Sequence, residues 1–148
     1  RVMLGETSDQ TDAIAELKCN IDDMTGEEIG FAMEQLLSGG ALDVFTTPIG
    51  MKKNRPGVLL SVLCRAGDRE NMARLIFRHT TTLGIRESLQ SRYTLERRTQ
   101  TLSTPYGAVR QKVSSGYGVR RQKDEYEDIA AIAREQGLSI AQVREMLK

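Results

Sequence analysis

An α+β fold is predicted by three features of the sequence. Apolar runs of strand length recur at residues 13–21, 41–49 and 58–65, residues 85–95 alternate like a strand, and helically spaced apolar residues follow the first and third of these segments. Gly39-Gly40 and Pro56-Gly57 punctuate the segments between. Strand, helix, strand, strand, helix, strand is the order of a ferredoxin-like split βαβ core.

Each element has its own warrant. Residues 13–21 are apolar with some alternation and give the first strand. Thr25 and Glu28 form a Thr-x-x-Glu capping box, Ile29, Met33, Leu36 and Leu37 follow on one helical stripe, and Gly39-Gly40 stop the helix. Residues 41–49 and 58–65 read as the second and third strands, joined by Met-Lys-Lys-Asn-Arg-Pro (51–56) and closed off by Pro56-Gly57. A second helix begins near Asp68, turns Met72, Leu75 and Ile76 inward, and ends at residues 78–80, where Thr80-Thr81-Thr82 is a poor helix former. Residues 85–95 alternate like a strand, and 99–114 add strand-like material broken by Pro105 and Gly107. Asp124 and Glu127 make a second capping pattern before an inner stripe of Ile129, Ile132 and Ala133, with Gly137 as the stop. Ser139 and Gln142 cap a short last helix with Ile140, Val143 and Leu147 inward.

The chain divides accordingly into a polar lead over 1–12, a core over 13–98, and a strand extension with a C-terminal helical hairpin over 99–148. The polar lead reads as the remnant of a linker from a further N-terminal domain. The first and third strands are expected to run parallel, with the second and fourth opposed. The basic loop would then approach residues 80–86, while Asp22 and Asp23 leave at the other end. A site using both charges would need a second subunit or the C-terminal segment, so a homo-oligomer with a site near an interface is expected.

A chain of 148 residues can bury one core without staples, and 39% hydrophobic with 28% charged residues suits a soluble fold. Lys and Arg number 21 against 20 Asp and Glu, a net of +1, which argues against a nucleic-acid binder acting through bulk charge. Function must come from local clusters. No apolar stretch is long enough to span a bilayer, and the basic-then-apolar pattern of a signal peptide is missing, so a cytoplasmic protein is expected. Cys19 and Cys64 sit inside apolar runs, where they read as small buried hydrophobes in a reducing compartment.

Lys52, Lys53 and Arg55 concentrate positive charge within residues 51–55, which suits a small multiply charged anion such as a nucleotide phosphate; the plainer alternative is a solvated hairpin tip. Asp22 and Asp23 follow a strand end, where they could hold Mg²⁺ or Mn²⁺ on a phosphate or simply favour the next helix's positive end. Glu27 and Glu28 belong to the helix start. Arg86, just after Gly84, is a candidate bidentate phosphate contact. His79 is the one histidine, which argues against His-rich metal sites and histidine-based triads and places it at a helix C-terminus. Arg97-Arg98, Lys112 and Arg120-Arg121 read as surface, and Tyr126 could stack on a base or cover a helix start. Neither the Walker nor the dinucleotide glycine fingerprint occurs. Two other classes stay open: a ferredoxin-like module binding a small effector, and a helix-turn-helix DNA binder built from the last two helices around Gly-Leu-Ser.

Four separated motifs carry a resemblance. Asn-Ile-Asp-Asp-Met-Thr-Gly-Glu (20–27), Met-Lys-Lys-Asn-Arg-Pro-Gly (51–57), Thr-Thr-Thr-Leu-Gly-Ile-Arg (80–86) and Lys-Asp-Glu-Tyr-Glu-Asp (123–128) resemble the C-terminal domain of the nickel-pincer nucleotide cofactor cyclometallases, the nickel insertion proteins of lactate racemase maturation. The resemblance implies a CTP-dependent lyase that inserts nickel into pyridinium-3,5-bisthiocarboxylic acid mononucleotide, with this domain binding CTP together with Mg²⁺ or Mn²⁺. By position, Lys52, Lys53 and Arg55 would hold the triphosphate with Asn54 and Arg86 as neighbours, and Asp22 and Asp23 would face the metal. Nickel and the organic substrate would fall mainly to the family's longer N-terminal region, so this stretch would bind nucleotide without completing the reaction. One departure is Asp124, where the family pattern commonly has proline; it bears on the helix start.

Overall fold

The structure, a computed structural model, describes residues 9–148. Most of the polar lead expected over 1–12 lies outside them, and the first strand, β1 (Asp9–Ile21), already begins at Asp9. There follow α1 (Gly26–Ser38), β2 (Asp43–Met51), β3 (Arg55–Arg65), α2 (Arg69–His79), β4 (Arg86–Thr104), β5 (Gly107–Gly116), β6 (Val119–Asp124), α3 (Tyr126–Gln136) and α4 (Ile140–Met146). The chain forms two compact units, the first over residues 12–92 and the second over residues 93–148 together with the start of β1, so β1 and β4 both contribute strand to each.

The first unit is the α+β, ferredoxin-like core expected from sequence, with strand order β2-β3-β1-β4. Its strand directions correct the expectation. β1 pairs antiparallel with β3, Ile21 lying opposite Val58, and β2 pairs antiparallel with β3, Met51 lying opposite Arg55. A βαβ crossover returns the chain parallel to its first strand, and β3, joined to β2 by a hairpin, fills the gap running the other way. β1 and β2 therefore end together, and Asp22 and Asp23 emerge beside the basic hairpin. The expectation of an interface site loses its premise.

Alternation along β1 sends Ala15, Leu17, Cys19 and Ile21 into one core with Leu60, Val62, Cys64, Leu36, Met72 and Ile76. The Thr25–Glu28 capping box is made as expected, Thr25 Oγ1 accepting from the Glu28 N–H at 3.2 Å and Glu28 Oε1 accepting from the Thr25 N–H at 2.8 Å. Leu37 faces outward instead, and Ala32 takes the inner position. Cys19 and Cys64 are free and buried, and burial pushes both thiols up, away from the thiolate that would bind metal.

In the second unit β4, β5 and β6 form an antiparallel ladder. α3 and α4 pack on it through Val109, Ile129, Ile132, Ala133 and Val143. β6 escaped the sequence reading because Val-Arg-Arg-Gln-Lys-Asp carries almost no apolar signal. Asp124 is not the helix cap expected from sequence: it closes β6 and accepts from Gln111 Nε2 at 2.7 Å, leaving Glu125 as the N-cap residue. Gly137 ends α3 in the left-handed region at φ 66°, and Ser139 with Gln142 completes the second capping box, both as expected. The Arg110 guanidinium and backbone N–H on Asp128 hold that carboxyl down to about 2. No helix among the described residues is long and apolar enough to cross a membrane.

Candidate functional site

Three strand ends meet at one end of the first unit's sheet. The β2–β3 hairpin turns at Lys52–Asn54, so the loop is shorter than residues 51–56 and Pro56-Gly57 lie in β3 rather than closing the turn. Lys53 at φ 61° and Asn54 at φ 58° occupy the left-handed region. Asn visits it readily; a lysine there is disfavoured where glycine would serve. Gly57 is required by close approach, since a Cβ would stand 2.9 Å from the Ile21 carbonyl oxygen and collide with the Met51 side chain. That contact seats the hairpin directly on the exit of β1.

A cleft of about 300 Å³ is lined by Asp22, Met51, Lys52, Lys53 and Arg55. Arg55 Nη1 stands 3.6 Å from Asp22 Oδ2, with the Arg55 side chain 62% exposed. An ion pair this loose and exposed contributes roughly 0–1 kcal/mol, so the arginine is readily given up to a stronger anion. A second recess, lined by Ile21, Asp22, Met24, Pro56, Gly57 and Val58, continues from Asp22 along the strand exit.

On the other side of β1, the α2–β4 connection and the start of β4 complete the array. Thr81 Oγ1 donates to Asp23 Oδ1, and Arg86 Nη2 donates to Asn20 Oδ1 at 3.0 Å. Because β1 lies between β3 and β4, residues 80–86 share the hairpin's end of the sheet, as expected, yet they meet the exit of β1 rather than the lysines. Asn54 and Arg86 are not among the residues lining the hairpin cleft. The sequence marks Thr81 only as part of a helix stop and Asn20 only as part of the first strand, so neither stands out as a candidate until these contacts are seen. His79 ends α2 as expected and packs against Phe31, ring centroids 5.9 Å apart. Among the described residues no group of three or more His, Cys, Asp or Glu could enclose a metal ion.

Fold and geometry define a ferredoxin-like domain carrying a polycationic hairpin beside a carboxylate pair. The chain belongs to the nickel insertion protein family, whose model matches residues 1–144. It is 48% identical over 127 residues to the pyridinium-3,5-bisthiocarboxylic acid mononucleotide nickel insertion protein of Alkaliphilus metalliredigens, covering 86% of this chain and 30% of that protein. The protein of the same name from Acetivibrio thermocellus is 42% identical over 146 residues, covering 97% and 36%. The chain thus spans about a third of the length of the curated relatives it matches. Among solved structures it is similar to the apo C-terminal domain of a cyclometallase involved in the synthesis of the NPN cofactor of lactate racemase, at 40% identity and a TM-score of 0.78, covering 90% of this chain and 93% of that one.

Proposed function

We propose that this chain is the CTP-binding part of a CTP-dependent cyclometallase that inserts nickel into pyridinium-3,5-bisthiocarboxylic acid mononucleotide, yielding the nickel-pincer cofactor of lactate racemase. One observation supports it above the others: Lys52, Lys53 and Arg55 line a single cleft with Asp22. The two ammonium groups act as point charges for phosphate oxygens, and the Arg55 fork offers paired donors. An arriving triphosphate takes Arg55 from Asp22 and frees that carboxylate for the cation the nucleotide carries.

The donor set fits such a cation. Mg²⁺ or Mn²⁺ on a polyphosphate needs one or two carboxylates, with water and phosphate oxygens supplying the rest, and an all-protein cage is unnecessary. Asp22 and Asp23 would hold it directly or through water, with Thr81 fixing the Asp23 carboxylate. Bound there, the metal would neutralise phosphate charge and orient the leaving oxygens. Completing the nickel chemistry falls to the remainder of the longer proteins.

Calorimetric titration with CTP and with ATP, each with and without Mg²⁺ or Mn²⁺, tests this reading. Metal-dependent binding that prefers CTP is expected. Binding of neither nucleotide would overturn it.

A further inference from the structure

The register of the second unit sets cations against one another. On one face of β4–β5–β6, Arg97, Ser114 and Arg121 form one cross-strand row, and Thr99, Lys112 and Lys123 form the next. Lys112 thus lies directly opposite Lys123, an arrangement that repulsion disfavours. The alternate face sends Val109 and Val113 into the protein interior, so these rows point away from α3 and α4. Among the described residues Glu125, 3.0 Å from Lys112, is the one carboxylate ion-paired with the four cations.

Two further observations say what would relieve that charge. A recess of about 300 Å³ is lined by Arg97, Arg98, Thr99, Lys112 and Ser114, a mixture of cationic and hydroxyl donors that suits a phosphate. Four residues before Arg97 on β4, and so on the same face by alternation, Tyr93 is 79% exposed. Its ring is met edge-on by Tyr117 at 5.9 Å, which steadies an open aromatic face. Along the strand the two positions are about 13 Å apart, within reach of each other through an arginine side chain.

We propose that this face binds a mononucleotide, its phosphomonoester held by Arg97, Lys112, Arg121 and Lys123 and its ring stacked on Tyr93. None of these residues belongs to the hairpin cleft. The nickel-insertion reading enters only in the choice of ring, because the relatives are named for a pyridinium mononucleotide.

The test titrates the chain with nicotinic acid mononucleotide and with inorganic phosphate at constant ionic strength. Saturable binding of the mononucleotide, at least tenfold tighter than phosphate, is expected. Lys112→Gln with Arg121→Gln should weaken it at least tenfold, Tyr93→Ala should remove its advantage over phosphate, and Lys53→Gly should leave it intact. Lys123→Gln relieves repulsion, so its melting temperature at low salt should equal or exceed that of the wild type while its binding falls; weaker binding there is not unfolding. The proposal is overturned by no saturable binding, by equal affinity for the two probes, by binding that survives the double substitution, or by binding lost through Lys53→Gly. Failure of the CTP reading would appear separately, as absent CTP binding with mononucleotide binding preserved.

Discussion

Lys53→Gly separates function from stability because the two should move in opposite directions. Lys53 holds φ 61° and ψ 29° at the hairpin tip. The left-handed conformation disfavours a side-chain-bearing residue by roughly 1–2 kcal/mol, a strain that glycine removes. Glycine's greater freedom in the unfolded chain offsets about 0.5–1 kcal/mol of that gain. The net is a stabilisation of about 0.5 kcal/mol, or roughly 1–2 °C in melting temperature for a chain of this size. The same change deletes an ammonium group from the cleft. Loss of one hydrogen bond to a charged group amounts to about 1.5–3 kcal/mol, so CTP affinity should fall roughly 10- to 100-fold. Thermal unfolding and calorimetric titration of the same preparation read both quantities, with Lys53→Ala as the companion that loses the amine but keeps the strain. A melting temperature lowered by more than about 3 °C would make the lysine structural, and unchanged affinity would remove it from the site.

Three other outcomes follow from single contacts. Asp22→Asn should abolish the dependence of CTP binding on Mg²⁺ or Mn²⁺ while leaving residual metal-free binding, read by titration with and without the metal. Gly57→Ala places a Cβ 2.9 Å from the Ile21 carbonyl oxygen, and overpacking of that kind should destabilise by about 1–3 kcal/mol in chemical denaturation. Asp128 has a carboxyl held at about 2 against an ordinary 3.8, so the folded state favours its charged form. That stabilisation is fully present above about pH 4 and is lost as pH falls through about 2; Asp128→Asn should therefore lower stability at pH 5 and converge with the wild type near pH 2, measured by unfolding across that range.

Capping chemistry made the helices legible. Thr25 with Glu28 and Ser139 with Gln142 both announced their helix starts, because a cap is a local pattern of four residues. Asp124 with Glu127 gave the same signal and misled, since Asp124 is drawn off by Gln111 across the ladder, a contact between residues 13 apart that no local rule sees. β6 was hidden for a related reason: a strand recognised by its apolar alternation disappears when both faces carry charge. The site divides in the same way. Lys52, Lys53, Arg55, Asp22 and Asp23 were legible as candidates from their chemistry alone. Their convergence depends on β1 and β2 ending together, which is set by strand direction, and reversing both β2 and β3 relative to β1 sent acids and bases to opposite ends. Thr81 and Asn20 became visible only through their partners across the sheet.

On the proposed reading, the carboxylates at the exit of β1 and the cations of the β2–β3 hairpin form one metal–nucleotide site. Paramagnetic broadening of backbone amide resonances by Mn²⁺ in the presence of CTP reads the two halves of that site together. The expected result is broadening centred on Asn20, Asp22 and Asp23 together with Lys52, Lys53 and Arg55, absent when Mn²⁺ is added without nucleotide. Broadening centred on Arg97 and Lys112, or on neither cluster, would contradict it.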